Sequence, residues 1–204
     1  MISRASLMRC LMALAGGLLL ANCSSTEVSL DYQPGLSQAA PGPRKLSAGR
    51  FSDMRREGSY YLGTVRTPIG SPMERVNTRI PVEQVVRNAF AHGMTARGML
   101  SGRGAPYVLT GEILDLHCDQ VIRPAAYAKI RVNVVRASSG QVVFSRIYSG
   151  ERENSAYLPG SGSPVPMLRE LASRALQDVV DRALDDNALR ARLSPSPPYG
   201  PDIL

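Results

Sequence analysis

The chain carries no tryptophan, three phenylalanines and eight tyrosines among its 204 residues. No basic run interleaves with those aromatics, so the stacking and phosphate contacts of a nucleic-acid surface are missing. Nucleic acid is not an expected partner. There are two histidines, His92 and His117, and three cysteines, Cys10, Cys23 and Cys118. No Cys-x-x-Cys or His-x-x-x-His spacing occurs, and His117 and Cys118, as strand neighbours, would face opposite ways. Neither a metal nor any other cofactor is expected. Long apolar runs are also lacking. A spanning helix needs about 20 apolar residues, and the run Leu11 to Leu20 holds ten.

What is present begins with that short run. Arg4 and Arg9 precede it, and the polar stretch Ser24-Ser25-Thr26-Glu27 follows Leu20-Ala21-Asn22-Cys23. A basic start followed by a short apolar core is the secretory pattern. The ending resembles a bacterial lipoprotein signal, although Asn22 stands where Gly, Ala or Ser is usual. The resemblance implies cleavage between Asn22 and Cys23, lipid on Cys23, and no catalytic role for either. It also implies a periplasm-facing protein, with Ser24 favouring the outer over the inner membrane. The other reading is an ordinary cleaved signal with an incidental cysteine. Loss of residues 1–22 takes away two arginines, lowering the net charge from +7 to +5. The charges are scattered without blocks, as on a solvated mixed surface, though an anionic headgroup or glycan would also suit them. With Cys23 lipidated, Cys118 is left without an internal disulfide partner and is expected to be buried and inert, or paired with another protein.

Residues 23–44 read as a flexible tether, since 33–43 are rich in Pro, Gly and Ser and lack apolar periodicity. Residues 194–204 read as a proline-rich tail. Between them, 45–193 is long enough for one domain with its own core. Lys45 to Phe51 and Tyr60 to Val65 read as strands, followed by a polar connection over 67–79. Val82, Val85, Val86, Ala89, Phe90 and Met94 recur at helical spacing, with Pro81 before them and Gly98 after. Gly93 interrupts this helix and suggests close contact with a sheet. Tyr107 to Leu116 is a strand. Tyr127 to Arg136 alternates cleanly and, with Gln141 to Ser149, makes an antiparallel hairpin. Leu168 through Leu184 carry a continuous helical stripe, and a last turn runs to Leu193. The expected fold is α+β in the order ββαβββα, a mainly antiparallel sheet with two helices on one face.

Chemistry is hard to find. Asp53, Glu57, Glu112 and Asp115 would act as paired carboxylates only if the fold gathered them, and an enzyme would need a cleft joining Asp53 to His92 or His117. The loop Gly160-Ser161-Gly162-Ser163 lacks the lysine of a phosphate cradle. The expectation is therefore a protein that is not an enzyme.

The elements in order resemble the YajG-type family of outer-membrane lipoproteins. The likeness rests on Met94-Thr95-Ala96-Arg97-Gly98, on the preceding Val85-Val86-Arg87-Asn88-Ala89-Phe90, and on the strand Tyr107-Val108-Leu109-Thr110-Gly111-Glu112-Ile113. It spans 45–193 plus Cys23. A wider likeness joins the chain to auxiliary lipoproteins of envelope ABC transporters. These resemblances imply a membrane attachment through N-terminal lipid and an envelope protein as partner, in envelope maintenance or transport. Lys129 and Arg131, on the polar side of their strand, and the loop 154–163 are the expected contact surface. The alternative is a lipid- or glycan-binding module, with Val86, Phe90 and Met94 lining a cleft instead of filling a core.

Overall fold

A computed structural model describes residues 24–34, 41–155 and 162–193. The signal, including Asn22 and Cys23, the middle of the expected tether, most of the expected contact loop 154–163 and the proline-rich tail lie outside the described residues. Those described form strands β1 (Ser24–Val28), β2 (Leu46–Asp53), β3 (Tyr61–Arg66) and β4 (Pro72–Thr78), helix α1 (Val82–Ala96), strands β5 (Tyr107–Gln120), β6 (Pro124–Arg136) and β7 (Val142–Glu153), and helices α2 (Val165–Leu184) and α3 (Asn187–Leu193).

The α+β class holds, but the sheet is mixed. β5, β6 and β7 run antiparallel in succession, as does the β3–β4 pair. The pairs β1–β4, β2–β5 and β3–β5 are parallel. The order ββαβββα is corrected by two further strands and a third helix. β1 and β4 escape a reading by pattern because they are polar and near an edge. Of β1 only Val28 is buried, and of β4 only Val76 and Thr78.

Two of the parallel pairs, β2–β5 and β3–β5, have one cause. β2 pairs with the first half of β5, ending at Asp53 beside Ile113, and β3 takes over with Gly63 beside Cys118. The two are successive pieces of one neighbour of β5, separated by a loop over 54–60. Arg55 fills the break. It grips Asp53 with two hydrogen bonds of 2.8 and 2.9 Å and donates to the carbonyls of Leu116 and Tyr61 at 2.7 and 2.9 Å. Carbonyls left without a strand partner are thereby satisfied, as buried backbone requires.

The sheet buries one face under the helices. Ile113, Leu116, Cys118, Ile130, Val132 and Val134 are fully buried with the apolar stripes of α1 and α2. Phe51 of β2 stacks on Phe90 of α1 at 4.9 Å. Val86, Phe90 and Met94 are wholly buried, so they build the core and do not line a cleft. Gly93 meets α2 and not the sheet: a Cβ there would lie 2.8 Å from Val180 and Leu184 side-chain carbons. α1 ends as its sequence suggests. Gly98 takes a φ of 65°, and the amides of Gly98 and Met99 return to the carbonyls of Thr95 and Met94, the closing pattern that glycine permits.

Part of the expected tether is built into the domain. Residues 24–28 form an edge strand, and Tyr32 is buried against α1 and α2. Its phenol serves polar partners that composition alone does not reveal.

Candidate functional site

Cys23 and Asn22 lie outside the described residues, but Ser24 opens β1 at the margin of the sheet. The chain after the cysteine therefore enters folded structure at once.

The other expected surface is the sheet face away from the helices. Strand alternation puts Glu112, Asp115, His117 and Asp119 of β5 beside Arg131, Lys129 and Tyr127 of β6, all at least partly exposed. Arg131 donates to Glu112 at 2.5 Å. Lys129 lies opposite Asp115 and Ser149 and makes no ion pair among the described residues. His117 stacks on Tyr127 at 4.9 Å, and its Nδ1 lies 2.6 Å from Asp115. Its Nε2 is 3.7 Å from Asp119. The face is a patchwork of both signs and not a basic surface for a polyanion.

His117 is the titratable centre of that face. Its hydrogen bond with Asp115 outweighs the burial that opposes charge, and Asp115, Asp119 and Glu57 add attraction. The imidazolium is held above the ordinary histidine range. A raised folded-state pKa means that the stabilising contact is complete at acid pH and lost as pH rises through the folded value. Titration of His117 by NMR is expected to give a pKa above 6.5, moving down in Asp115→Asn. An unmoved value in that variant would contradict the pairing.

The other candidate groups are not gathered. Asp53 is bound to Arg55, and Glu112 to Arg131. His92 lines a separate cleft of about 480 Å³ between residues 28–33 and α1, with Asp31, Arg79 and Asn88. Cys118 faces the helices, and burial, aided by Asp119, pushes its thiol up to about 12. It is an inert core group.

A polar cluster that composition did not reveal ties the helices together. The Arg97 side chain, 3% exposed, donates to Asp181 at 3.0 Å and to both oxygens of Asp185 at 2.9 and 2.6 Å. It also reaches the Tyr32 hydroxyl at 3.2 Å, which itself donates to Asp181 at 2.7 Å. Arg190 of α3 completes the group on Asp185 at 2.6 Å. Burial pushes the Asp185 carboxyl up, but Arg97 and Arg190 together hold it below the usual carboxylate range. Asp186 caps α3 through the amides of Ala188 and Leu189 and accepts the Tyr148 hydroxyl at 2.6 Å. A useful signal for the cluster is Arg97 beside Gly98, an arginine where α1 must stop.

Among the described residues no helix is long and apolar enough to cross a membrane. No family model matches the sequence, and no curated protein matches it. The fold is similar to that of a Xanthomonas campestris protein of family DUF330, at 16% identity and a TM-score of 0.59, covering 79% of this chain and 92% of that one. More distant is a Caulobacter crescentus protein provisionally described as a lipoprotein, at 15% identity and a TM-score of 0.40, covering 53% and 80%. A minor lipoprotein from Acinetobacter baumannii gives 8% identity and a TM-score of 0.38, covering 61% and 90%. The Xanthomonas likeness shows a shared fold.

Proposed function

We propose that the protein is a non-enzymatic lipoprotein of the bacterial envelope, anchored through Cys23 to the outer membrane and facing the periplasm. In this reading it belongs with YajG-type lipoproteins and holds an envelope protein through the outer sheet face, in envelope maintenance or as an accessory of transport. The observation that carries the anchor is Leu20-Ala21-Asn22-Cys23 placed directly after a basic start and a ten-residue apolar run. The descriptions of the Caulobacter and Acinetobacter proteins as lipoproteins agree with it.

The outer face supports the partner reading. Arg131 with Glu112 and His117 with Asp115 are fixed in pairs, so those side chains have little entropy left to lose when a partner covers them. Charges that meet complementary charges of a partner serve register and choice of partner more than raw affinity. Anchoring raises the local concentration of the domain near membrane partners. A photocrosslinker at Lys129 is expected to capture one discrete envelope protein in intact cells, whereas a crosslinker at Ser139, on the β6–β7 turn, captures none. Recovery of the same abundant neighbours from both positions would count against the partner reading.

A glycan-binding reading draws on the cleft beside His92. Its size is in the ordinary range for small ligands, and Asp31, Arg79 and Asn88 offer groups suited to sugar hydroxyls. Native mass spectrometry of the protein from cells separates the two, since a bare mass would sink the glycan version.

A further inference from the structure

Six strand termini meet at one end of the sheet, β7 ending there at Glu153 beside Ala125 of β6. Of the other five, β1 begins at Ser24, β4 at Pro72 and β6 at Pro124, while β3 ends at Arg66 and β5 at Gln120. The registers Ser24 with Glu74, Val65 with Gln120, and Gln120 with Pro124 place them side by side. The turns that leave this end are unusually apolar. Ile69 is 89% exposed and Ile122 75%, with Met73 at 55% and Val121 at 40%. Single exposed apolar residues are ordinary. Here two separate turns and the start of β4 bring theirs to one rim. Between them opens a cleft of about 500 Å³, walled by Ser24, Val65, Met73, Val121, Ile122 and Pro164.

We propose that this rim is the membrane-seated end of the domain, with Ile69, Met73, Val121 and Ile122 entering the interface of the bilayer that holds the lipid anchor. The inference rests on the proposed lipid at Cys23 and goes beyond it, because an anchor alone leaves the domain's orientation open. The occupant follows from chain geometry. Ser24 lines the cleft, and one residue spans at most about 3.6 Å. Acyl chains on Cys23 would therefore leave the protein beside Ile122 and Met73. The early start of β1 leaves no slack for the domain to turn its other end to the membrane.

Charge fits without dominating. Arg66 and Arg123 stand at the rim, Arg66 bonded to the Gly70 carbonyl at 3.3 Å and Arg123 paired with Glu153 at 3.5 Å. Glu74 is held by Thr26. Cations beside apolar side chains suit the headgroup layer, where interfacial segments sink roughly 5–10 Å. Because apolar burial carries the seat, it should withstand salt that screens surface charge.

The test uses the lipid-modified chain from cells, reconstituted in vesicles of phosphatidylethanolamine and phosphatidylglycerol. An environment-sensitive fluorophore is placed on Ile69→Cys, Ile122→Cys or Ser139→Cys; buried Cys118 does not compete for the label. Ser139 lies past the far end of β6, about 40 Å from the rim at the rise of an extended strand. The expected result is a blue shift at 69 and 122, with loss of most of their emission to nitroxide-bearing lipid. Position 139 keeps water-like emission. Water-like, unquenched emission at 69 and 122 in a chain that floats with the vesicles would overturn the orientation and leave the anchor standing. A chain that does not float would remove the anchor, and this inference with it.

Discussion

Arg97→Met is expected to cost about 3 kcal/mol of stability, the lower end for breaking a buried ion pair by removing one partner. The lower end applies because Asp181 and Asp185 keep 31% and 35% of their side-chain exposure, so water relieves part of the stranded charge. For a domain of this size the melting temperature falls by about 10 °C. The linear side chain preserves much of the packing, so the loss reports the cluster. Arg174, paired with Glu170 on the exposed side of α2, gives the contrast. Arg174→Ala should change stability by less than about 0.5 kcal/mol.

The Arg97 effect carries a pH signature. Asp185 has its pKa lowered by folding. Its contribution is therefore complete above the unfolded carboxylate value of about 3.9 and is lost as pH falls through the folded one. Wild type and Arg97→Met should differ most near neutrality and converge in acid. Thermal melts at a series of pH values check this, and a gap that stays constant into acid would contradict it.

Gly63→Ala is expected to be at least as damaging. An added Cβ would lie 1.6 Å from the Cys118 carbonyl oxygen and 3.0 Å from its sulfur. A backbone oxygen inside a parallel pair cannot rotate away, so β3 must separate from β5 where they meet. The expected loss is about 3 kcal/mol, at the upper end for overpacking. Cys118 supplies a second readout. It is fully buried, and separation of β3 would open it to thiol reagents. The variant should react faster than wild type under native conditions. Gly58→Ala, where nothing lies within 4 Å of the added carbon, should leave both stability and reactivity nearly unchanged. Equal behaviour of the two variants would contradict the packing described for Gly63.

The elements legible in the sequence are those whose own side chains define them. α1 shows its apolar face, its Pro81 entry and its Gly98 exit, and the structure places it at Val82–Ala96. The hairpin of β6 and β7 shows because Ala128, Ile130, Val132 and Val134 alternate with polar residues against a buried face. β1 and β4 were not legible. Ser24 to Val28 becomes a strand through pairing with residues some fifty positions later, and no local period records that. The parallel direction of β2 and β3 was hidden for a related reason. Both lie along β5, and the break between them is bridged by Arg55, whose partners Leu116 and Tyr61 are far apart in sequence.

The candidate surfaces divide in the same way. Lys129 and Arg131 can be placed on one face by alternation. Glu112 beneath Arg131 and Tyr127 beside His117 require the register of β5 on β6, with its irregularity between Ile113 and Asp115. The apolar rim was less accessible still. Ile69 lies in what reads as a polar connection, and Val121 and Ile122 are only two residues in a turn. Only the meeting of strand ends joins them to Ser24.

Everything proposed about location depends on one covalent bond. Intact-mass measurement of the protein from cells, combined with palmitate labelling of wild type and Cys23→Ser, tests it most directly. The expected wild-type chain begins at Cys23, carries label and has the mass of an acylated N-terminus, while Cys23→Ser carries no label. Equal labelling of both proteins, or an unlabelled wild-type chain without added acyl mass, would contradict the anchor.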